Sequence, residues 1–428
     1  MLKLDAAGPG FAEAFAALVN GRREADSDVS QAVSAILADV RARGDAALRD
    51  LTQRFDRFDL DTVGWQIPLS DCRAALAGLA PELREALELA AARIRAYHIL
   101  QRPADSDITD AAGVRMGARW RPVDAAGLYV PGGRAAYPSS VLMNAIPAKV
   151  AGVERLVMVT PSPDGILNPL VLAAAALGEV DEIWRFGGAQ AIAALAYGTG
   201  RIAPVDVVTG PGNAWVAEAK RQLYGVVGID MVAGPSEILV VADSDNDPDW
   251  IATDLLSQAE HDPTSQSILI SDDAAFADRV AAAVETRLAT LATEAVARAS
   301  WEAHGAIILV SDLADAPALV DRLAPEHLEL AVADPEPLFA RVRHAGSVFL
   351  GRHTPEAIGD YVGGPNHVLP TGRRARFSSG LSVLDFMKRT SFLACTPDSM
   401  RSIGPAAVAL AEAEGLPAHA ASVAERLP

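Results

Sequence analysis

Apolar residues recur at helical spacing through the first hundred or so positions of the chain. Ser27 and Asp28 precede the amphipathic run QAVSAILADVRARG, which stops at Gly44, and Asp45 then opens AALRDLTQRFDRFD. Pro81 stands at the helix position that tolerates it best, ahead of ELREALELAAARIRAYHILQR. This helical region reads as scaffold or subunit contact. From about residue 120 the texture changes. Short β-branched runs at 155–160, 182–186, 205–208, 238–241, 267–270 and 306–310 alternate with alanine-rich helical stretches. Several runs lead into a polar cap and a helix, as Ser271-Asp272-Asp273 before AAFADRVAAAVETRL and Ser311-Asp312 before LADAPALVDRLA. Strand, cap, helix, strand is the order of parallel α/β units, because parallel strands need a crossover connection. Residues 371–392 are basic and polar with few regular signals, and helical stretches follow up to Gly415 and over AHAASVAERL. This tail is too short for a core of its own and is expected to pack on the body or on a partner subunit.

Composition narrows the field. A chain of 428 residues exceeds what one hydrophobic core usually spans, so two or more units are expected. A net charge of −18 disfavours nucleic acid and anionic membrane surfaces as partners. Two cysteines, Cys72 and Cys395, are too few for a disulfide framework or a cysteine-based zinc site. The start, MLKLDAAGPGFAEAF, lacks a signal-peptide core, and no run approaches about 18 uninterrupted apolar residues. A cytoplasmic protein with no membrane span is expected.

Three glycine-bearing loops each follow an expected strand: Tyr129-Val130-Pro131-Gly132-Gly133, Phe186-Gly187-Gly188-Ala189-Gln190 and Thr209-Gly210-Pro211-Gly212-Asn213. Such turns either close sheet edges or bring backbone N–H groups near a ligand. Gln258 and His261 are three apart at the end of WIATDLLSQAE and share a helical face. Glu326 and His327 follow Pro325, read as a helix start, and their side chains diverge, which suits two roles around one substrate. Asp360 lies in IGDYVGGPNH with His367 nearby, and Glu414 and His419 flank Gly415. Two histidines, a carboxylate and an amide oxygen would suit Zn²⁺ or a similar divalent ion, though no local spacing selects the set.

Read together, YVPGGRAAYPSSVLMNAIPAKVAGV, FGGAQAIAALAYGTG, GPGNAWVAEAKR, DMVAGPSEILVVAD, SQAEHDP, LAPEHLEL, GDYVGGPNHVLPT, DFMKRTS and AEGLPAH resemble the histidinol dehydrogenase family over nearly the whole chain. A small departure is Trp215, where the family more often has tyrosine. The resemblance implies a zinc-dependent oxidoreductase that takes L-histidinol through L-histidinal to L-histidine with two NAD⁺, the last steps of histidine biosynthesis. It implies Gln258, His261, Asp360 and His419 as zinc ligands, one zinc per subunit. It implies substrate contacts from Ser236, Gln258, His261, His327, Asp360, Glu414 and His419, Glu326 and His327 as the acid–base pair, and Tyr129, Gln190 and Asn213 along the NAD⁺ site. It also implies an intertwined homodimer whose sites are shared, the tail reaching the partner subunit. The fold expected is α/β, with two incomplete Rossmann-like units, an N-terminal helical segment (1–25) and a small C-terminal helical tail (381–428). Residues 26–128 with 237–380 would form the zinc-bearing unit, and 129–236 the NAD side. The alternatives are a related zinc/NAD dehydrogenase of another small diol or amino alcohol, or a zinc hydrolase. The hydrolase leaves the three glycine turns without a role. Neither cysteine lies where a thiohemiacetal route would use it, Cys72 in a helical stretch and Cys395 outside every matched motif.

Overall fold

The computed structural model describes residues 1–21, 29–132, 137–232 and 234–427. The expected cap at Ser27 and Asp28, and Gly133 of the first glycine loop, lie outside the described residues. The strands, in chain order, are β1 (Leu2–Asp5), β2 (Ser106–Thr109), β3 (Arg115–Pro122), β4 (Ala125–Tyr129), β5 (Arg155–Val159), β6 (Glu182–Trp184) and β7 (Val207–Thr209). They continue as β8 (Gly228–Ile229), β9 (Glu237–Ala242), β10 (Gln266–Ser271), β11 (Ala306–Leu309), β12 (His327–Ala331), β13 (Ser347–Leu350) and β14 (Met387–Ala394).

Two parallel sheets dominate. One runs β6-β5-β4-β7-β8 and the other β1-β11-β10-β9-β12-β13. Numbered within each sheet from β4 and from β9, both have the strand order 3-2-1-4-5 of a nucleotide-binding fold short of its sixth strand, β1 being an extra edge on the second. Both sheets are apolar on both faces because helices cover both. On the five-stranded sheet, Ala126, Leu128, Leu156 and Met158 pack with Leu87, Ala90 and Ile94 of the helix Pro81–Ile99. On its opposite face, Tyr129, Val157 and Val159 meet Val33, Leu37, Leu48 and Leu51 of the helices Ser30–Arg43 and Asp45–Phe55. On the six-stranded sheet, Ile238, Val240 and Leu269 face the helices Pro248–Ala259 and Ala274–Leu288, while Leu239, Val241 and Ile268 face Phe15 and Val19 of the helix Phe11–Asn20.

These contacts differ from the expected division of the chain. The helices between residues 30 and 99 cover the five-stranded sheet, not the sheet of 237–380, and β4 begins that sheet before residue 129. The first segment is not only helical, because β1 pairs in parallel with β11. LKLD is too short to show a strand period, so only the tertiary pairing reveals it. A third sheet, β14-β3-β2, is antiparallel. It recruits Met387–Ala394 from the tail, where the mixed basic and polar sequence gave little alternation to read. Beyond it, the helices Pro397–Ala413 and Pro417–Ala424 form a hairpin in which Leu427 and Val423 close over Gly404. Among the described residues no helix is long and apolar enough to cross a membrane.

Candidate active site

Residues 230–236 join the carboxyl end of the first sheet's last strand to the amino end of the second sheet's first strand. The candidate residues divide between these two edges.

At the carboxyl edge of the five-stranded sheet, the chain turns from β4 into β5 on one side and reaches β7 on the other, the point where nucleotide-binding sheets open a crevice. Tyr129 ends β4, and its buried hydroxyl accepts the Gly188 N–H at 3.2 Å. Burial pushes this phenol up to about 12, so it stays protonated and keeps a hydrogen to donate. Gln190 is buried in the first turn of the helix Gly188–Tyr197. Asn213 caps the helix Ala214–Leu223, accepting the N–H groups of Trp215 and Val216 at 3.1 and 3.2 Å. Gly210 has φ +111°, and a Cβ there would lie 2.1 Å from the Tyr129 carbonyl oxygen, so only glycine lets the two turns approach this closely. The turn is tied from behind. Gly210 N–H donates to Asp230 Oδ2 at 2.8 Å, the Lys220 ammonium donates to the Gly210 carbonyl at 3.0 Å, and Lys220 is ion-paired with Asp230, both side chains buried.

At the amino edge of the six-stranded sheet, Glu326 and His327 precede and open β12. They start a strand, correcting the expected helix start. The apolar alternation of HLELA is satisfied by parallel pairing with β9 and β13, where His327 stands opposite Ile238 and Ser347. The expected divergence of the two side chains is also corrected: Glu326 Oε2 lies 3.7 Å from His327 Nδ1, because both side chains turn to the Glu237 backbone. Glu326 Oε2 accepts the Glu237 N–H at 3.0 Å, and burial raises its carboxyl well above the usual range. His327 Nδ1 lies 3.0 Å from the Glu237 carbonyl oxygen, an acceptor only, so Nδ1 carries the hydrogen and Nε2 keeps its lone pair. That Nε2 is buried without a hydrogen-bond partner, and burial lowers the imidazole to about 4, which leaves it neutral near pH 7.

Around this nitrogen lie Glu356 Oε1 at 3.7 Å and Asp360 Oδ1 at 4.0 Å, and the three groups present ligand atoms within 4.8 Å of one another. Gln258 ends the helix Pro248–Ala259, whose last turn faces the same edge, and its Oε1 is buried with no partner. His261, just past that helix, is exposed, and its charge acts on both His327 and Asp360. Burial would raise the Asp360 carboxyl, but the His367 imidazole 3.6 Å away and the other neighbouring histidines outweigh it and hold it below its ordinary value. Beside His367, the Asn366 amide donates to the Met143 carbonyl at 2.6 Å and faces His98 Nε2 at 3.3 Å. His98 is buried in the helix Pro81–Ile99, with its Nδ1 2.7 Å from the Ile94 carbonyl oxygen. A cavity of about 290 Å³ opens beside His327, Phe349, Asp360 and His367. Ser236, half-buried, sits immediately before β9 at the same edge.

The orphaned amide oxygen of Gln258 and the Asp360 carboxylate, held low, are donors suited to a divalent cation, and the free lone pair of the His327 imidazole lies beside them. Glu414 and His419 are not brought here. Both are exposed on the tail hairpin, with no side-chain hydrogen bond or ion pair among the described residues. Sequence reasoning also missed Glu356 and Glu237. The first stands one helical turn before Asp360 in PEAIGDY, a spacing that would have revealed it; the second acts through its backbone and leaves no such signal.

The sequence profile of the histidinol dehydrogenase family matches residues 20–427. The chain is 69% identical over 427 residues to the histidinol dehydrogenase of Zymomonas mobilis subsp. mobilis, spanning 100% of this chain and 99% of that one. It is 66% identical over 427 residues to that of Rhodospirillum rubrum, spanning 100% and 98%. The crystal structure of histidinol dehydrogenase from Elizabethkingia anophelis has a TM-score of 0.94 at 36% identity, covering 100% of this chain and 98% of that chain.

Proposed function

This chain belongs to the histidinol dehydrogenase family, and on that premise we propose how its residues carry out the oxidation of L-histidinol to L-histidine, the final steps of histidine biosynthesis. The observation that carries the reading is the tautomer of His327. The Glu237 carbonyl holds the hydrogen on Nδ1 and burial keeps the ring neutral, so Nε2 is a base at physiological pH.

Each oxidation releases a proton as well as a hydride. His327 takes the proton from the substrate hydroxyl, first of the alcohol and then of the hydrated aldehyde. Between the two, water must add to L-histidinal, and Glu326 takes a proton from that water. Burial raises this carboxyl well above its ordinary value, so its carboxylate form is a stronger base than an exposed glutamate. Tyr129, Gln190 and Asn213 would line the NAD⁺ site, and NAD⁺ when bound would supply the hydride acceptor for each step. Gln258, His261 and Asp360 would hold zinc together with His419 of the partner subunit, one ion per subunit. When bound, zinc supplies a fixed positive charge that orients the amine and imidazole of histidinol. Ser236 and Glu414 of the partner subunit would complete the substrate contacts. Because Glu414 and His419 are exposed in their own chain, the reading requires a homodimer with shared sites. A hydrolase would use the same acid–base pair but not the Gly210 turn, which favours the dehydrogenase.

The test follows NADH absorbance with purified protein, L-histidinol and NAD⁺, before and after chelation. Loss of NADH production on chelation and its return with Zn²⁺ are expected. Hydrolysis of test esters or amides with no NADH from any alcohol or amino alcohol would overturn the reading.

A further inference from the structure

An amide side chain has two nearly isosteric ends, and only the oxygen end can ligate a cation. A buried glutamine that serves as a ligand therefore needs a partner that tells the ends apart. We propose that Glu356 is a positioning residue that fixes the Gln258 amide with its oxygen turned toward the metal. This rests on the reading of Gln258 as a ligand.

Glu356 is 2% exposed, and both carboxyl oxygens are engaged by neighbours on the helix Pro248–Ala259. Oε1 accepts the Gln258 Nε2–H at 2.5 Å, and Oε2 accepts the Ser257 hydroxyl at 3.0 Å. The position of Glu356 is itself set, because its backbone N–H donates to Glu329 Oε1 at 2.6 Å. A half-turn of the Gln258 amide would break the observed Nε2–H bond to Glu356 Oε1. The observed orientation instead leaves Gln258 Oε1 fully buried and unpartnered, a state that a bound cation relieves. Glu356 also lies 3.7 Å from His327 Nε2, near enough to be mistaken for a ligand itself. Its occupied oxygens argue for the supporting role.

The test measures Zn²⁺ affinity by chelator competition, and the visible spectrum of the Co²⁺-loaded protein, for wild type, Gln258→Ala, Glu356→Ala, Glu356→Gln and the double alanine variant. Glu356→Ala should weaken Zn²⁺ binding about 10- to 100-fold. Glu356→Gln, whose oxygen still accepts from Gln258, should stay within a few-fold of wild type with an unchanged Co²⁺ spectrum. The double variant should be no weaker than Gln258→Ala alone. If Gln258→Ala binds Zn²⁺ as wild type does, the ligand reading fails. If Gln258→Ala weakens binding and Glu356→Ala does not, the positioning role alone fails. Equal losses in Glu356→Gln and Glu356→Ala, with an altered Co²⁺ spectrum and additive losses in the double variant, make Glu356 a direct ligand and overturn the proposal. Glu356→Gln keeps the test decisive should the alanine variant not fold.

Discussion

At the carboxyl edge of the five-stranded sheet, the candidate residues are a tyrosine, a glutamine and an asparagine set among glycine turns and helix starts. At the amino edge of the six-stranded sheet they are carboxyls, imidazoles and an orphaned amide. The two sheets share a strand order, yet only the first places its candidate residues at the crevice that this order creates. The second presents its opposite edge because residues 230–236 join the carboxyl side of one sheet to the amino side of the other. Fold topology thus explains the glycine edge, whereas the charged edge depends on how the two units are strung together. The edges should also fail differently. One is sensitive to added atoms and to loss of the ion pair behind it, the other to changes of charge and hydrogen-bonding pattern.

Lys220→Met should have the largest effect. It strands the Asp230 carboxylate in the interior behind the Gly210 turn, at a cost of about 3–5 kcal/mol in urea unfolding. A loss below about 1 kcal/mol would mean that the pair does not hold the glycine edge. Glu326→Gln should slow oxidation of added L-histidinal by about 10²-fold or more, and the alcohol step less, in single-turnover measurements. Equal losses in both steps would remove the division of labour between Glu326 and His327.

Gly210→Ala should weaken NADH binding, read by calorimetry, with strain of about 1–3 kcal/mol, while Zn²⁺ affinity stays at the wild-type value. A parallel loss of zinc would erase the distinction between the two edges.

The buried pair behind the charged edge gives a pH signature. Burial raises Asp254 to about 6 and, with the neighbouring Asp254 charge, raises Glu329 well above its ordinary value. The folded protein keeps protons here that the unfolded chain has released, so this contribution to stability is complete below about pH 4 and is lost as pH rises toward 6 and beyond. Glu329→Gln keeps an acceptor for the Glu356 N–H and should flatten that slope in unfolding series from pH 4 to 7. An unchanged slope would place the titration elsewhere. The smallest effect concerns the cysteines. A thiol reagent should label exposed Cys395 at once, and Cys72, buried and raised to about 11, only on unfolding. Rapid labelling of both would contradict the packing of the helix Leu69–Ala77.

Much of this was legible in the sequence because its signals are local. The β-branched runs became β5 to β7 and β9 to β11, and polar caps marked helix starts, as at Asp273, whose side chain accepts the Phe276 N–H. Gly210 and Asn213 stood out because a turn and a helix cap have strict residue requirements. What escaped depends on distant partners. β1 exists only because β11 lies beside it, and β14 only because β3 does. His327 read as a helix start because Pro325 suggested one, while pairing with β9 and β13 made it a strand. Glu237 was invisible because it acts on Glu326 and His327 through its backbone.

The most direct test is the stoichiometry of the reaction. The protein, loaded with zinc and supplied with excess NAD⁺, should yield two NADH and one L-histidine for each L-histidinol consumed. One NADH with L-histidinal accumulating as the final product, or no NADH from the folded, metal-loaded protein, would contradict the account.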